Sequence, residues 1–385
     1  MKKGRFQKTA LTGCSLILVI FAFYCVIFRA SHGLISYDNL EIWAVGLSMP
    51  TGNVEVSQAE KSSSKNPPSE EKTTQSSQEN SLQAAESKTS KNSENSKNPE
   101  ANDFEFSTPT QEELAAYDNA HSGEAQYPVN EVTLTNCDDS YGNVRVKNAS
   151  STTFDIKEEL EAELGFTIED TDEPQVLIYH THTCESYLDY DTGYYYESFY
   201  PRTDDNNQNV CAVGDAIADQ LNKNGIVTIH DTTQHDNPSY SGAYNRSLNT
   251  INSYLEKYPS IKVVLDIHRD GLGEGGESGK TKTVFEVDGH KAAQIMILSG
   301  YGYDASLDFE DWEYNLRFAL KIQQTAENMY PNMTRPLYFA DFMYNMNVNT
   351  GSLLIEIGTD SNTLSEAKYT GYLLGNVLTE VLSEA

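Results

Sequence analysis

Three short apolar runs constrain this chain more than anything else in it. Val176-Leu177-Ile178-Tyr179, Val263-Val264-Leu265-Asp266-Ile267 and Leu353-Leu354-Ile355 read as strands buried on both faces. Each hands over at its carboxyl end to side chains able to bind metal. His180, His182 and Glu185 follow the first run, His268 the second and Glu356 the third. Open α/β sheets bind their ligands outside the carboxyl ends of the strands, so this is the pattern a zinc site on such a sheet needs.

From about residue 128 onward, apolar and aromatic residues interleave with turn signals. Residues 210–224 put Val213, Ala216, Ile217 and Leu221 on one helical stripe, with Gly225 just past its end. Strands are expected at 226–231 and 261–267, with a helix at 241–258 between them. Strands at 282–287, 294–298, 336–340 and 352–357 and helices at 311–329 and 364–382 continue the alternation. Strands alternating with helices imply right-handed crossovers and a mainly parallel sheet flanked by helices. Residues 128–385 are therefore expected to form one α/β domain of ordinary size.

The first third of the 385 residues reads differently. Residues 10–28 are apolar and uncharged, long enough for a transmembrane helix. Lys2, Lys3, Arg5 and Lys8 precede this run and Arg29 alone closely follows it, which places a cytoplasmic tail at 1–9 and the rest of the chain outside. Residues 29–56 form a juxtamembrane segment. Residues 57–127, dominated over most of their length by Ser, Lys, Glu, Asn, Gln and Pro, are expected to be a disordered linker. The formal net charge of −30 argues against nucleic acid as a partner. Cys14 and Cys25 fall in the apolar span, and the remaining Cys137, Cys184 and Cys211 are too few and too odd in number for a disulfide framework.

Burial strengthens the chemical signal. Asp266-Ile267-His268-Arg269-Asp270 crowds charge at a hydrophobic strand end, and Glu356 lies inside Leu353-Leu354-Ile355-Glu356-Ile357, where an idle carboxylate would be costly. Such a carboxylate beside a metal-bound water is useful as a general base. The competing explanation is an ion pair from Glu356 to Arg269 or Arg202. His182, beyond the strand, is preferred as ligand, with His180 as a packing or supporting residue and Glu185 three positions after His182. The Gly271-Leu272-Gly273-Glu274-Gly275-Gly276 loop matches a dinucleotide fingerprint literally, but a strand rather than a helix follows it and its acidic neighbours would repel phosphate. The tyrosines between 187 and 200 fit either a stacking surface for sugar or peptide or a self-packed lid. Cys184 has no dedicated base, and a packing role is expected for it.

Taken in order, these residues resemble a known family. Ile178-Tyr179-His180-Thr181-His182-Thr183 with Glu185-Ser186-Tyr187, Arg202-Thr203-Asp204, Asn209-Val210 with Val213-Gly214-Asp215, and His230-Asp231 with Pro238-Ser239-Tyr240 come first. Tyr244-Asn245-Arg246-Ser247, Asp266 with His268-Arg269-Asp270, and Glu356-Ile357-Gly358 with Asn362-Thr363 complete a match that spans residues from about 130 to the end. The chain resembles the stage II sporulation protein P family. The resemblance implies a membrane-anchored, zinc-dependent peptidoglycan hydrolase of the engulfing septum, with N-acetylmuramoyl-L-alanine amidase and endopeptidase activities and a fold similar to zinc amidases. It implies Zn²⁺ held by two histidines and a glutamate, a second glutamate as base, and a complex with stage II sporulation proteins D and M. By position the ligand histidines are His182 and His268 and the catalytic glutamate is Glu356. Glu185 is the choice for the ligand glutamate, with Glu197 as the alternative, and Arg269 is the candidate for steadying the oxyanion. Two rival readings are a wall-binding scaffold without catalysis, and an iron oxygenase with two histidines and one carboxylate.

Overall fold

The computed structural model describes residues 104–106, 108–303 and 309–385. The expected tail at 1–9, membrane anchor at 10–28, juxtamembrane segment at 29–56 and most of the linker lie outside the described residues. Among the described residues, no helix is long and apolar enough to cross a membrane.

The strands in chain order are β1 (Gln126–Val132), β2 (Asp139–Tyr141), β3 (Val144–Asn148), β4 (Val176–Tyr179), β5 (Tyr194–Tyr196), β6 (Thr228–His230), β7 (Val263–Asp270), β8 (Lys280–Val287), β9 (His290–Ala293), β10 (Ile295–Gly300), β11 (Leu337–Ala340) and β12 (Ser352–Thr359). The helices are α1 (Gln111–Ala120), α2 (Ile156–Glu161), α3 (Val210–Lys223), α4 (Ala243–Lys257), α5 (Trp312–Met329) and α6 (Leu364–Ser383). The main sheet has eight strands in the order β2-β3-β11-β10-β12-β7-β4-β6. Only β2–β3 and β10–β12 pair antiparallel; the other neighbours are parallel, as the alternation of strands and helices requires.

Side chains on a strand alternate between faces, and the packing follows that rule. Val176, Ile178, Val263, Leu265 and Ile267 enter the large core shared with Val213, Ile217 and Leu221 of α3, Leu316 and Leu320 of α5, and Leu373 and Leu374 of α6. Leu177, Tyr179 and Val264 point the other way, onto Ile251 of α4. Helix α3 begins at Asn209, whose side chain accepts from Cys211 N, and ends before Gly225 in the left-handed region at φ 86°. Helix α6 opens with a Thr363/Glu366 capping box. The helices α3 and α6 approach closely at Gly371, where a Cβ would lie 2.8 Å from the Val213 carbonyl oxygen.

Two features depart from the sequence reading. First, a separate four-stranded sheet, β5-β1-β8-β9, flanks the main one. Its hairpin β8–β9 turns at Asp288-Gly289, both at positive φ (53° and 80°), as a two-residue hairpin turn demands. Second, the end of the expected disordered linker is ordered. Helix α1 carries a Thr110/Glu113 capping box, and Asp118 accepts hydrogen bonds from the Tyr194 and Tyr196 hydroxyls at 2.7 and 2.8 Å. Tyr117 packs against Tyr196, and Phe104 and Phe106 pack against Tyr369. A few aromatic anchors and a complete cap thus order a segment whose average composition is that of a tether.

Lys282 of β8 joins this sheet to α6. Its ammonium, in a residue only 1% exposed, lies 2.7 Å from Asp191, 2.8 Å from Glu366 and 3.1 Å from Glu131. Removing one partner from a buried ionic cluster leaves the others without compensation. Lys282→Met is therefore expected to lower unfolding stability by about 3 kcal/mol, read as a lower urea midpoint; an unchanged midpoint would show that the carboxylates find water instead.

Candidate metal centre

Strands β12, β7 and β4 are consecutive in the sheet and parallel, so their carboxyl ends open at one edge. The chain turns immediately after β4, and Glu185 N donates to the His182 carbonyl oxygen at 3.1 Å, folding the two side chains together. His268 is a residue of β7 itself, since that strand runs three positions beyond the expected end at Ile267. On β7, Leu265 and Ile267 enter the large core while Val264, Asp266 and His268 share the opposite face. Glu356 of β12 is paired in register with His268. The same alternation that buries the core thus aligns Asp266, His268 and Glu356 on one face.

His182, Glu185 and His268 each offer a ligand atom within 4.8 Å of the others. His182 Nδ1 lies 3.5 Å from Glu185 Oε1, and His268 Nδ1 lies 3.4 Å from Glu185 Oε2. All three side chains are buried. His268 Nε2 sits 2.9 Å from Asp266 Oδ1, although neither His268 ring nitrogen has a hydrogen bond of good geometry. Asp266 in turn accepts from Thr181 N at 2.8 Å and Thr181 Oγ1 at 2.7 Å. A carboxylate oriented behind a ligand histidine is the usual support of a metal site, and two histidines with one carboxylate form a donor set used by catalytic zinc. With Nε2 facing Asp266, His268 Nδ1 is a buried nitrogen without a hydrogen bond that faces Glu185 and lies near His182, so the residues present fit the ion.

The electrostatics set the two buried glutamates apart. Burial alone would raise the Glu185 carboxyl, but the Arg269 guanidinium and the two histidines hold it well below the usual range. Burial would depress His268, yet Asp266 and Glu185 push it well above an ordinary imidazole. Glu356 behaves oppositely: burial, with Asp270 and Glu185 nearby, pushes it up to about 8 against the pull of His268 and Arg269. Its Oε2 is buried without a hydrogen-bond partner.

The structure separates the remaining candidates. Glu197 is exposed and outside the cluster. His180 turns away from His182, with Nδ1 against the Ile267 carbonyl at 2.8 Å and Nε2 against His230 at 2.8 Å, and burial beside His230 depresses its pKa to about 3. The ion pair considered for Glu356 is not formed by either arginine: Arg202 pairs with Asp236, and Arg269 turns to Glu185. Arg269 is also less free than an oxyanion donor must be. Its Nε and Nη2 donate to the Ser186 and Pro201 carbonyls at 3.2 and 2.9 Å, its Nη1 lies 3.8 Å from Glu185, and its backbone N donates to Glu185 Oε2 at 3.2 Å. It positions Glu185.

Other tyrosines and cysteines also find their places. Tyr194 and Tyr196 are committed to Asp118, and the Tyr187 hydroxyl donates to the Ile357 carbonyl at 3.1 Å, so these three tyrosines are scaffold. The Cys184 thiol is pushed up to about 12 by burial and Asp236, unlike a nucleophile. The motifs that contain Asp266 and Tyr240 do not by themselves assign Asp266 as support for His268, or Tyr240 as the ring stacked on His182 with centroids 4.2 Å apart. The signal for Asp266 was its place two residues before His268, on the same face of a strand. Asp266→Asn should keep the fold and weaken Zn²⁺ binding roughly 10–100-fold, measured by competition with a chromophoric chelator; undiminished affinity would show that Asp266 plays no part in orienting His268.

Comparison with known proteins places this geometry in context. Stage II sporulation protein P of Bacillus subtilis (strain 168) is 25% identical over 225 residues, which cover 56% of this chain and 52% of that protein. The match therefore spans about half the length of the relative. Among solved structures, the CwlD amidase of Clostridioides difficile, determined with the GerS lipoprotein, is 12% identical with a TM-score of 0.35, covering 55% of this chain and 100% of that one. An N-acetylmuramoyl-L-alanine amidase from Clostridium difficile 630 is 16% identical with a TM-score of 0.32, covering 56% of this chain and 97% of that one. The family model for stage II sporulation protein P matches residues 36–379, well over half of the chain, and the protein accordingly belongs to the stage II sporulation protein P family.

Proposed function

We propose that the protein is a zinc-dependent peptidoglycan hydrolase of sporulation that cleaves the amide between muramic acid and the L-alanine of the stem peptide, and stem-peptide cross-links as well. The observation that carries this reading is the convergence of His182, Glu185 and His268 at the edge where β4, β7 and β12 end, beside the buried carboxyl of Glu356. Zn²⁺ held by His182, Glu185 and His268 would polarise the scissile carbonyl and make a bound water acidic.

The chain's own groups supply the rest. Glu356, with its proton affinity raised by burial, suits a group that takes a proton from the attacking water and returns it to the leaving amine as the C–N bond breaks. Asp266 holds His268, and Arg269 holds Glu185 together with the Ser186 and Pro201 backbone, so the donors need little reorganisation. The residues at 10–28 would anchor the chain in the membrane with its catalytic domain outside, at the sporulation septum, where stage II sporulation proteins D and M are its proposed partners.

The purified full chain should release stem peptides from peptidoglycan, stop when a chelator is added and recover with Zn²⁺. Glu356→Gln should lower the rate by roughly 10²–10⁴-fold while the protein still binds metal. Turnover that ignores the chelator and survives His268→Ala would sink the proposal. Binding to sacculi with no muropeptide released would favour a scaffold instead.

A further inference from the structure

A second cluster of metal-binding atoms lies apart from the three donors above. His180, just past β4, His230 at the end of β6 and Cys211 in the first turn of α3 each offer a donor atom, all within 4.8 Å of one another. His180 and Cys211 are buried, and the His230 side chain is only 7% exposed. Neither the proposed hydrolysis nor the support of its ligands uses His230 or Cys211.

The proton inventory of the two rings is the informative point. His180 Nδ1 lies 2.8 Å from the Ile267 carbonyl oxygen, which can only accept, so that nitrogen carries a proton. His230 Nδ1 lies 2.8 Å from Asp215 Oδ1, and a carboxylate there likewise calls for a proton on the ring. In neutral rings both Nε2 atoms are then bare lone pairs, yet they face each other at 2.8 Å. Either an added proton or a cation must lie between them. A histidine whose outer N–H is tied to a carbonyl or a carboxylate, with its other nitrogen aimed inward, is the arrangement of a metal ligand. Here it occurs twice, and the third member of the cluster is a thiol.

Gly214 adds an independent observation. It lies on α3 between Cys211 and Asp215, and a Cβ there would come within 2.5 Å of His230 Nε2 and 2.9 Å of His180 Nε2. Any side chain at this position would fill the space where the two nitrogens meet. Two nitrogens bound tetrahedrally at roughly 2.0–2.1 Å lie about 3.3 Å apart, so the rings need to part by only about half an ångström. The Asp215 side chain, 67% exposed, can follow that movement.

We propose that His180, His230 and Cys211 bind a second, structural divalent ion, Zn²⁺ by the softness of its thiolate and imidazole donors. Such an ion would tie the end of β4 to β6 and α3, and so brace the turn that carries His182. Three protein donors leave the fourth position to water.

The thiolate makes this site distinguishable, because the cluster of His182, Glu185 and His268 contains no sulfur. The full chain loaded with Zn²⁺ should hold about two ions per chain, falling to about one in Cys211→Ser and about one in His182→Ala. Loaded with Co²⁺, it should show a near-ultraviolet thiolate-to-cobalt charge-transfer band that persists in His182→Ala and vanishes in Cys211→Ser. A single ion per chain with no such band would overturn the proposal, leaving an imidazolium between the rings; a band that survives Cys211→Ser would overturn it too. If Cys211→Ser fails to fold by circular dichroism, the wild-type and His182→Ala spectra decide alone. The band does not depend on hydrolysis, so its presence in a protein that cuts no peptidoglycan would leave this site standing while the proposed function fell.

Discussion

Parallel pairing of β4, β7 and β12 is the constraint from which the rest of the site follows. Three adjacent strands running the same way must end at the same edge, and their backbone hydrogen bonds fix the register between them. Leu354 stands opposite Asp266 and Glu356 opposite His268 because the ladder allows no half-residue slip, and a slip by one would move every side chain to the wrong face. The apolar residues of one face are sealed by α3, α5 and α6, which makes that register costly to change. The charged residues on the other face are held in place by the same packing that never touches them.

Burying so many ionisable groups is tolerable only where each finds an opposite charge, a hydrogen bond or a metal. Asp270 is paired with Arg335 at 2.7 Å, Asp236 with Arg202, and Lys282 with three carboxylates. Both His268 ring nitrogens and Glu356 Oε2, by contrast, are buried without hydrogen bonds of good geometry. What sets His268 and Glu356 apart is their place: they are ionisable side chains in register on one face, beside the buried Glu185.

Much of this was legible in the chain because continuous apolar runs and helical stripes are signals of local period. The elements expected at 176–179, 210–224, 241–258, 311–329 and 364–382 appear within a few residues of those bounds. The β8–β9 hairpin carries a turn signature in Val287-Asp288-Gly289-His290, but the short run after it lacks the alternation that marks a strand. The ordering of residues 108–127 was not legible by composition, because a handful of aromatic contacts contributes more than the polar average of the segment suggests. The reach of β7 through His268 to Asp270 was obscured by charge: a polar residue on one face of a strand looks like a strand end when only the apolar run is followed.

The sequence by itself determined an α/β domain and the residue types at its strand ends, because strand and helix periods are local properties of the chain. It also carried enough ordered motifs to indicate the family. Only the tertiary structure shows that His182 and not His180 lies beside His268, that Glu185 rather than Glu197 joins them, and that Arg269 lies against Glu185 and the Ser186 and Pro201 carbonyls. Those choices turn on which way a side chain leaves a turn and what lies across from it in another element. Spacing along the chain does not encode that direction; packing against β6, α3 and the turn at Pro201 does.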